Sequence, residues 1–195
     1  MLAAIIGLAA QQAFSNIVSG IFVVIFKPFK VGDLIEIATN RGIVEDITLR
    51  HTIIRNVENR RLIIPNSVIS NETIINSNIT DIKICNILEI GISYDSDVET
   101  AFRIIKEQEL AHPNCIDNRN EEQRINCDPI ITTRLIGYGD SSVNLRAYIW
   151  SNDSLNGFIM KCDLYKSIKE EFDNNNIEIP FPHRTIVYKN KNEGK

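Results

Sequence analysis

The sequence predicts a membrane pore helix or buried rod, then a small all-β domain, then an α+β domain. Three observations predict it. No residue from Met1 to Phe26 carries a formal side-chain charge, and the first charge is Lys27. From Val31 to Asn76, short runs of Ile, Val and Thr alternate with turn residues. From Thr80 onward, two helical spacings interleave with alternating strands.

The N-terminal run is MLAAIIGLAAQQAFSNIVSGIFVVIF. At about 1.5 Å per helical residue it can cross a hydrocarbon core of roughly 30 Å. Ala3, Gly7 and Ala10 lie on one helical face, and Ala9, Ala13, Asn16 and Gly20 line another. Small residues let helix backbones approach closely, so a helix small on two sides suits a ring of copies. Ala4, Leu8, Gln11 and Ser15 form a third stripe, which in a ring would line a pore with a dry constriction at Leu8. A buried core helix or a single lipid anchor fits the same composition, and composition alone leaves these open. A secretory signal is excluded because no Lys or Arg precedes the run. A lipid-facing helix would not carry Gln11, Gln12 and Asn16 at mid-depth without partners. A soluble amphipathic helix would show charges on one face. Lys27 and Lys30 point to a cytoplasmic C-terminal side.

With 195 residues the chain can hold more than one small domain. Charged residues make up 24% and the net charge is -4, an ordinary soluble surface and not that of a nucleic-acid binder. Cys85, Cys115, Cys127 and Cys162 form no C-x-x-C pair and read as reduced thiols, although Cys115 and Cys127 flank one polar loop.

Lys27-Pro28-Phe29-Lys30 ends the helix, because proline lacks the N–H and disfavours α at the residue before it. Strands are expected at Val31 to Ile37, within Ile43 to Asn56, at Arg61 to Ile64 and at Thr73 to Asn76. Turns are expected at Thr39 to Gly42, Glu58-Asn59 and Pro65-Asn66. Such short strands make a small barrel or sandwich, marginal alone, whose edge strands can pair between copies.

A longer strand follows through Ile82, Ile84, Leu88, Ile90 and Ile92. Ser96 with Glu99 predicts a capping box, and the helix then runs to about Ala111. Asn114 to Pro129 reads as a surface loop. Ile130 to Ile136 and Val143 to Ile149 pair around a turn at Gly137 to Asp140. Phe158, Cys162, Tyr165, Ile168 and Phe172 mark a second helix, closed by Asn174 to Asn176 because Asn tolerates the left-handed conformation. Ile177 and Ile179 predict a last strand. The order β-α-β-β-α-β is that of ferredoxin-like domains. Thr185 to Tyr188 reads as a lone strand needing partners from other copies.

No catalytic apparatus is visible. His51, His112 and His183 lack ligand spacing, and Asp95 with Asp97 reads as helix-start chemistry. No G-x-S-x-G, Walker or dinucleotide loop occurs, so neither an enzyme, a metal site nor a cofactor is expected.

Taken together, GLAAQQAFSNIVSG, FKPFKVGDLIEI, RGIVEDITLRHTIIRN and RRLIIPNSVISNETIINSN resemble the MscS-type small-conductance mechanosensitive channels. YDSDVE and the hairpin from Asp140 to Trp150 extend the likeness over nearly the whole chain. The resemblance implies a bacterial inner-membrane homoheptamer. In it a pore-lining helix and its interfacial continuation (1–27) lead to an Sm-like β-domain (28–78) and an α+β domain (79–180). Residues 181–195 would add a strand to an inter-subunit barrel and a disordered tail. The implied activity is opening under bilayer tension to release ions and small osmolytes. Family members also carry at least two earlier membrane helices, so this sequence is expected to supply pore and cage only.

Residue by residue, Leu8 matches the lower apolar gate ring and Ala4 the upper one, where leucine is usual. Gln12 stands where the family often has a kink glycine, and Gln is the better helix former by about 1 kcal/mol. Gly20 is the remaining flexible point. Asn16 matches a polar residue at the start of the interfacial half, and Phe14 an apolar residue coupling that half to the β-domain. Ala3, Gly7 and Ala10 would pack neighbouring helices. The alternative is an anchored Sm-like ring that binds RNA or a protein through Arg50, His51, Arg55, Arg60 and Arg61. The acidic balance favours a solvated face there, and no nucleic-acid partner is expected.

Overall fold

The computed structural model describes residues 2–186, with side chains from Ala10 onward. The chain divides into two compact units, Met1–Ile82 and Lys83–Lys195.

The first unit opens with α1 (Leu2–Phe26), one unbroken helix that passes through Gln12. Lys27 ends it in the left-handed region at φ 48°, its N–H still bonded to the Val23 carbonyl at 2.9 Å. Within the described part of α1, Asn16, Ser19, Gly20 and Val23 are buried. Their spacing of i, i+3, i+4 and i+7 is one helical face. Phe14, Ile21, Phe22, Val24, Ile25 and Phe26 are exposed. From Asn16 on, the helix therefore turns Asn16, Ser19, Gly20 and Val23 toward its own unit and Ile21, Phe22 and Val24 to Phe26 outward, while Gln11, Gln12, Ala13 and Ser15 before it are exposed. Among the described residues no helix is long and apolar enough to cross a membrane. The side chains of Ala3, Ala4, Gly7 and Leu8 lie outside the described residues.

Five strands and a short helix follow: β1 (Leu34–Ile37), β2 (Asn40–Ile47), β3 (His51–Arg55), β4 (Arg61–Pro65), α2 (Asn66–Asn71) and β5 (Ile74–Asn76). They form one antiparallel sheet in the order β4-β3-β2-β1-β5. Period-two alternation puts Ile35, Ile37, Val44 and Ile54 into a core with Val23, Phe29 and Ile69. The β1–β2 turn falls at Ala38-Thr39, two residues earlier than expected, with Ala38 at φ 52°. Gly42 then lies inside β2, not in a turn. An added Cβ there would sit 2.5 Å from the Arg55 carbonyl oxygen, so close strand approach requires the glycine. The expected run through Asn56 is two strands, β2 and β3, separated at Thr48 to Arg50. At Pro65-Asn66, where a turn is expected, the chain instead enters α2.

The second unit contains β6 (Ile84–Ile92), α3 (Val98–Ala111), α4 (Glu121–Ile125), β7 (Thr132–Tyr138), β8 (Val143–Ser151) and α5 (Ser154–Asn174). β8 is central, in the antiparallel order β6-β8-β7. Val143, Leu145, Ala147 and Ile149 alternate into the core and meet Ile104 and Ile105 of α3 and Met160, Leu164, Ile168 and Phe172 of α5.

Three expectations need correction in this unit. The cap of α3 is Asp97, whose carboxylate accepts from the Thr100 N–H at 2.8 Å. Ser96 instead accepts at Oγ from the Glu178 N–H at 3.0 Å. The 114–129 loop contains α4, with a full capping box between Asn120 and Gln123. Arg119 braces that loop, donating to both Asp117 oxygens and, at 2.7 Å, to the Asp128 carbonyl. Its guanidinium holds the Asp117 carboxyl well below the usual range.

The third correction concerns the last strand. Residues 177–179 form no strand, so the described sheet has three strands rather than the four of a ferredoxin-like layout. Asn176, at φ 58°, ends α5, and the Ile177 N–H reaches back to the Phe172 carbonyl at 2.9 Å. That is a Schellman closure, and its apolar contact draws Ile177 into the core. Glu178 is tied beside the end of β6 by two bonds, Ser93 N–H to Glu178 O at 2.8 Å and Glu178 N–H to Ser96 Oγ at 3.0 Å. Thr185 and Ile186 are not in a strand, and Val187 and Tyr188 lie outside the described residues.

Candidate functional site

The best-built polar site in the first unit is the joint between α1 and α2. The first N–H groups of any helix lack intrahelical acceptors. At α2 the capping position is Pro65, which offers no side-chain acceptor. The acceptor comes from α1: Asn16 Oδ1 takes the Ser67 N–H at 3.0 Å. Asn16 Nδ2 donates to the Gln12 carbonyl at 2.9 Å, which fixes the carboxamide orientation. Gln12 Nε2 also donates to Ser67 Oγ at 3.4 Å.

Asn66 extends this network into the sheet. It is fully buried, accepts at Oδ1 from Thr52 Oγ1 at 2.9 Å and donates to the Thr48 and Leu49 carbonyls at 3.0 and 3.2 Å. Its own N–H goes to the Arg50 carbonyl at 3.0 Å. Gly20 lies directly over this cluster. A Cβ there would be 2.4 Å from the Leu49 oxygen and 2.5 Å from Asn66 Nδ2. Such contact gives a packing reason for glycine at a position expected to be a flexible point.

At the other end of the joint, Asn76 Nδ2 bridges the Pro28 carbonyl at 3.0 Å and Asp33 Oδ2 at 2.8 Å. Asp33 Oδ2 also accepts from the Lys30 N–H at 2.9 Å. The K-P-F-K-V-G-D segment is thus closed as a turn and pinned to β5, with Gly32 supplying φ 97°.

Gln12, Asn16 and Gly20 are therefore brought together on one face, against α2 and the 48–50 turn. Phe14 is not among them: it is 67% exposed in the single chain. Ala10 is exposed, and the gate positions Ala4 and Leu8 fall outside the described side chains. Sequence reasoning missed Ser67, Asn66 and Thr52. The signal available was Pro65-Asn66-Ser67, a proline at a helix start with no cap of its own.

Three arginines of the basic cluster in the alternative reading, Arg55, Arg60 and Arg61, have local carboxylate partners. Arg61 forks onto Glu45 at 2.9 and 3.1 Å, Arg55 lies 3.7 Å from the same carboxylate, and Arg60 is 3.2 Å from Glu58. The Arg61 hydrogen bond pulls the Glu45 carboxyl below its ordinary range.

Residues 12–79 match the family of the mechanosensitive ion channel beta-domain, and residues 86–179 that of the MscS C-terminal domain. A solved structure, the closed state of Helicobacter pylori MscS, is 30% identical with a TM-score of 0.84, covering 97% of this chain and 71% of that one. The chain belongs to the MscS family of mechanosensitive ion channels. An MscS-family protein of Archaeoglobus fulgidus is 36% identical over 96% of this chain, and a small-conductance mechanosensitive channel of H. pylori is 32% identical over 97%. This chain spans 62% and 65% of those two relatives' lengths. Arabidopsis thaliana MSL1, at 17% identity and a TM-score of 0.68, shares the fold. The MscS family is one of channels and not of enzymes. Both joint partners, Asn16 and Ser67, fall inside the beta-domain match.

Proposed function

We propose that this chain forms the pore lining and cytoplasmic cage of a channel that opens under membrane tension and releases ions and small osmolytes. The observation that carries this reading is the apolar outer face of the C-terminal part of α1. Asn16, Ser19 and Val23 are buried against its own unit, while Ile21, Phe22, Val24, Ile25 and Phe26 stay outside. An apolar outer face on a helix hinged to a β unit suits lipid or neighbouring helices as its surroundings.

In this reading, seven copies stand around an axis in the inner membrane, with the C-terminal side of α1 toward the cytoplasm. Leu8 forms the dry constriction, and Ala4 forms a wider ring before it. Ala3, Gly7 and Ala10 let neighbouring helices approach. Asn16 transmits movement of α1 to the β unit through Ser67, because the bond joins the two elements directly. The lipid bilayer and the permeating solutes are the partners.

Patch recording tests this. The full-length protein should give currents that rise with suction, and Leu8→Ser should leak at rest because a hydroxyl wets the constriction. Currents indifferent to suction would remove the reading. A tight, normally gated Leu8→Ser channel would remove the gate assignment.

A further inference from the structure

Glu109 lies in the last turn of α3 and is completely buried. It continues the stripe that Ala101, Ile104 and Ile105 turn inward. Among the described residues neither of its carboxylate oxygens has a hydrogen-bond partner. A charge in that position has no hydrogen bond to compensate its lost hydration. Nothing in the channel reading uses this group.

The helix face that carries it packs on an apolar core. The residues that β8 and α5 turn into the shared core are Val143, Leu145, Ala147, Ile149, Met160, Leu164, Ile168 and Phe172. The ionisable groups near it are few. Lys106 on α3 itself favours the charged form, but by less than burial disfavours it. Beyond the helix end, Cys115 feels the Glu109 and Asp117 charges. His112 caps α3 and pairs at 3.3 Å with Asp163 of α5. None of them donates to the carboxylate.

We propose that Glu109 makes the end of α3 and the Cys115 turn a proton-controlled latch in the second unit, closed when the carboxyl is protonated and loosened when it ionises. Burial pushes its pKa up to about 8, from an ordinary value of 4.5. The sign follows from proton counting. Between those two values the folded unit keeps a proton that the unfolded chain releases, so stability falls as pH rises through that window and levels off above it. Acidification of the solution therefore tightens the unit, and alkalinisation frees the turn that carries Cys115. This latch operates independently of the gate.

The test compares the full chain with Glu109→Gln and Glu109→Leu from pH 5 to pH 9. The readouts are thermal unfolding and peptide-resolved alkylation of Cys115. Wild type should lose on the order of 10 °C in Tm relative to both variants between pH 5 and pH 8.5. At pH 8.5 its Cys115 should alkylate on the order of tenfold faster than in Glu109→Gln. The Glu109 charge alone would slow that alkylation by disfavouring the thiolate, so a faster rate reports opening. Parallel Tm profiles, or a wild-type rate equal to or below the variant's, would overturn the proposal. If Glu109→Gln misfolds, Glu109→Leu decides, since an apolar replacement removes the charge and the unpaired polar atoms together.

Discussion

Asn16 Oδ1 and the Ser67 N–H are 3.0 Å apart although 51 positions separate the two residues in sequence. The bond does two jobs. It supplies the acceptor that Pro65 cannot offer α2, and it fixes the rotation of α1 by choosing which face lies inward. With Asn16 inward, Ser19, Gly20 and Val23 follow, and Ile21, Phe22, Val24, Ile25 and Phe26 are left outside.

Asn16→Ala should cost about 1–3 kcal/mol in the stability of the first unit, because the buried Ser67 N–H loses its partner. Asn16→Asp keeps an acceptor but loses the donor to Gln12, and should fall between the two. Hydrogen exchange at the Ser67 amide checks this, and an amide equally protected in Asn16→Ala would contradict it.

Gly20→Ala sets two effects against each other. Alanine favours a helix by about 1 kcal/mol over glycine. The added Cβ, however, would sit 2.4 Å from the Leu49 carbonyl oxygen, where backbone has to move. The clash should win, lowering Tm and exposing the α1–α2 joint to limited proteolysis. A stabilised Gly20→Ala would show that the joint yields cheaply.

Asn66→Ala should be the more damaging change. It strands the Thr52 hydroxyl and two carbonyls in a buried site. The expected loss is about 2–4 kcal/mol, read from denaturant midpoints, with Thr52→Val partly restoring it by removing one stranded group.

Asp97 predicts an acid-sensitive contribution. Its hydrogen bond from Thr100 holds the carboxyl below its ordinary value of 3.8. The contribution is therefore complete above that value and is lost as pH falls through the lower folded value. Asp97→Ala should lower Tm at pH 7, and the gap should narrow as pH falls below 3.8. A constant Tm gap across that range would contradict the cap.

Much of this was legible in the chain. The uncharged run and the strand alternation of β8 are long patterns that packing reinforces. α5 was legible as a helix, but of its expected ladder only Ile168 and Phe172 are buried, with Met160 and Leu164, while Phe158, Cys162 and Tyr165 are exposed. α2 was not legible, because six residues with Val, Ile, Ser and Asn have weak helix propensity and too little length to show a period. α4 hid for the same reason, although its Asn120–Gln123 capping box was there to read. The cap of α3 slipped by one residue because Ser96 and Asp97 are both good caps and only Glu178 decides which is used elsewhere. Ile177 alternates with Ile179 like a strand, but the helix closure at Asn176 takes it first. The joint itself could not be seen, since nothing local in Asn16 names Ser67 as its partner.

The account rests on copies of α1 standing around a hole. A symmetry-resolved image of the full-length protein in lipid nanodiscs measures that directly. It should reveal a central axis with Leu8 turned toward it and Phe22 and Phe26 turned away. An assembly without an axis, or one with Leu8 facing lipid, would contradict it.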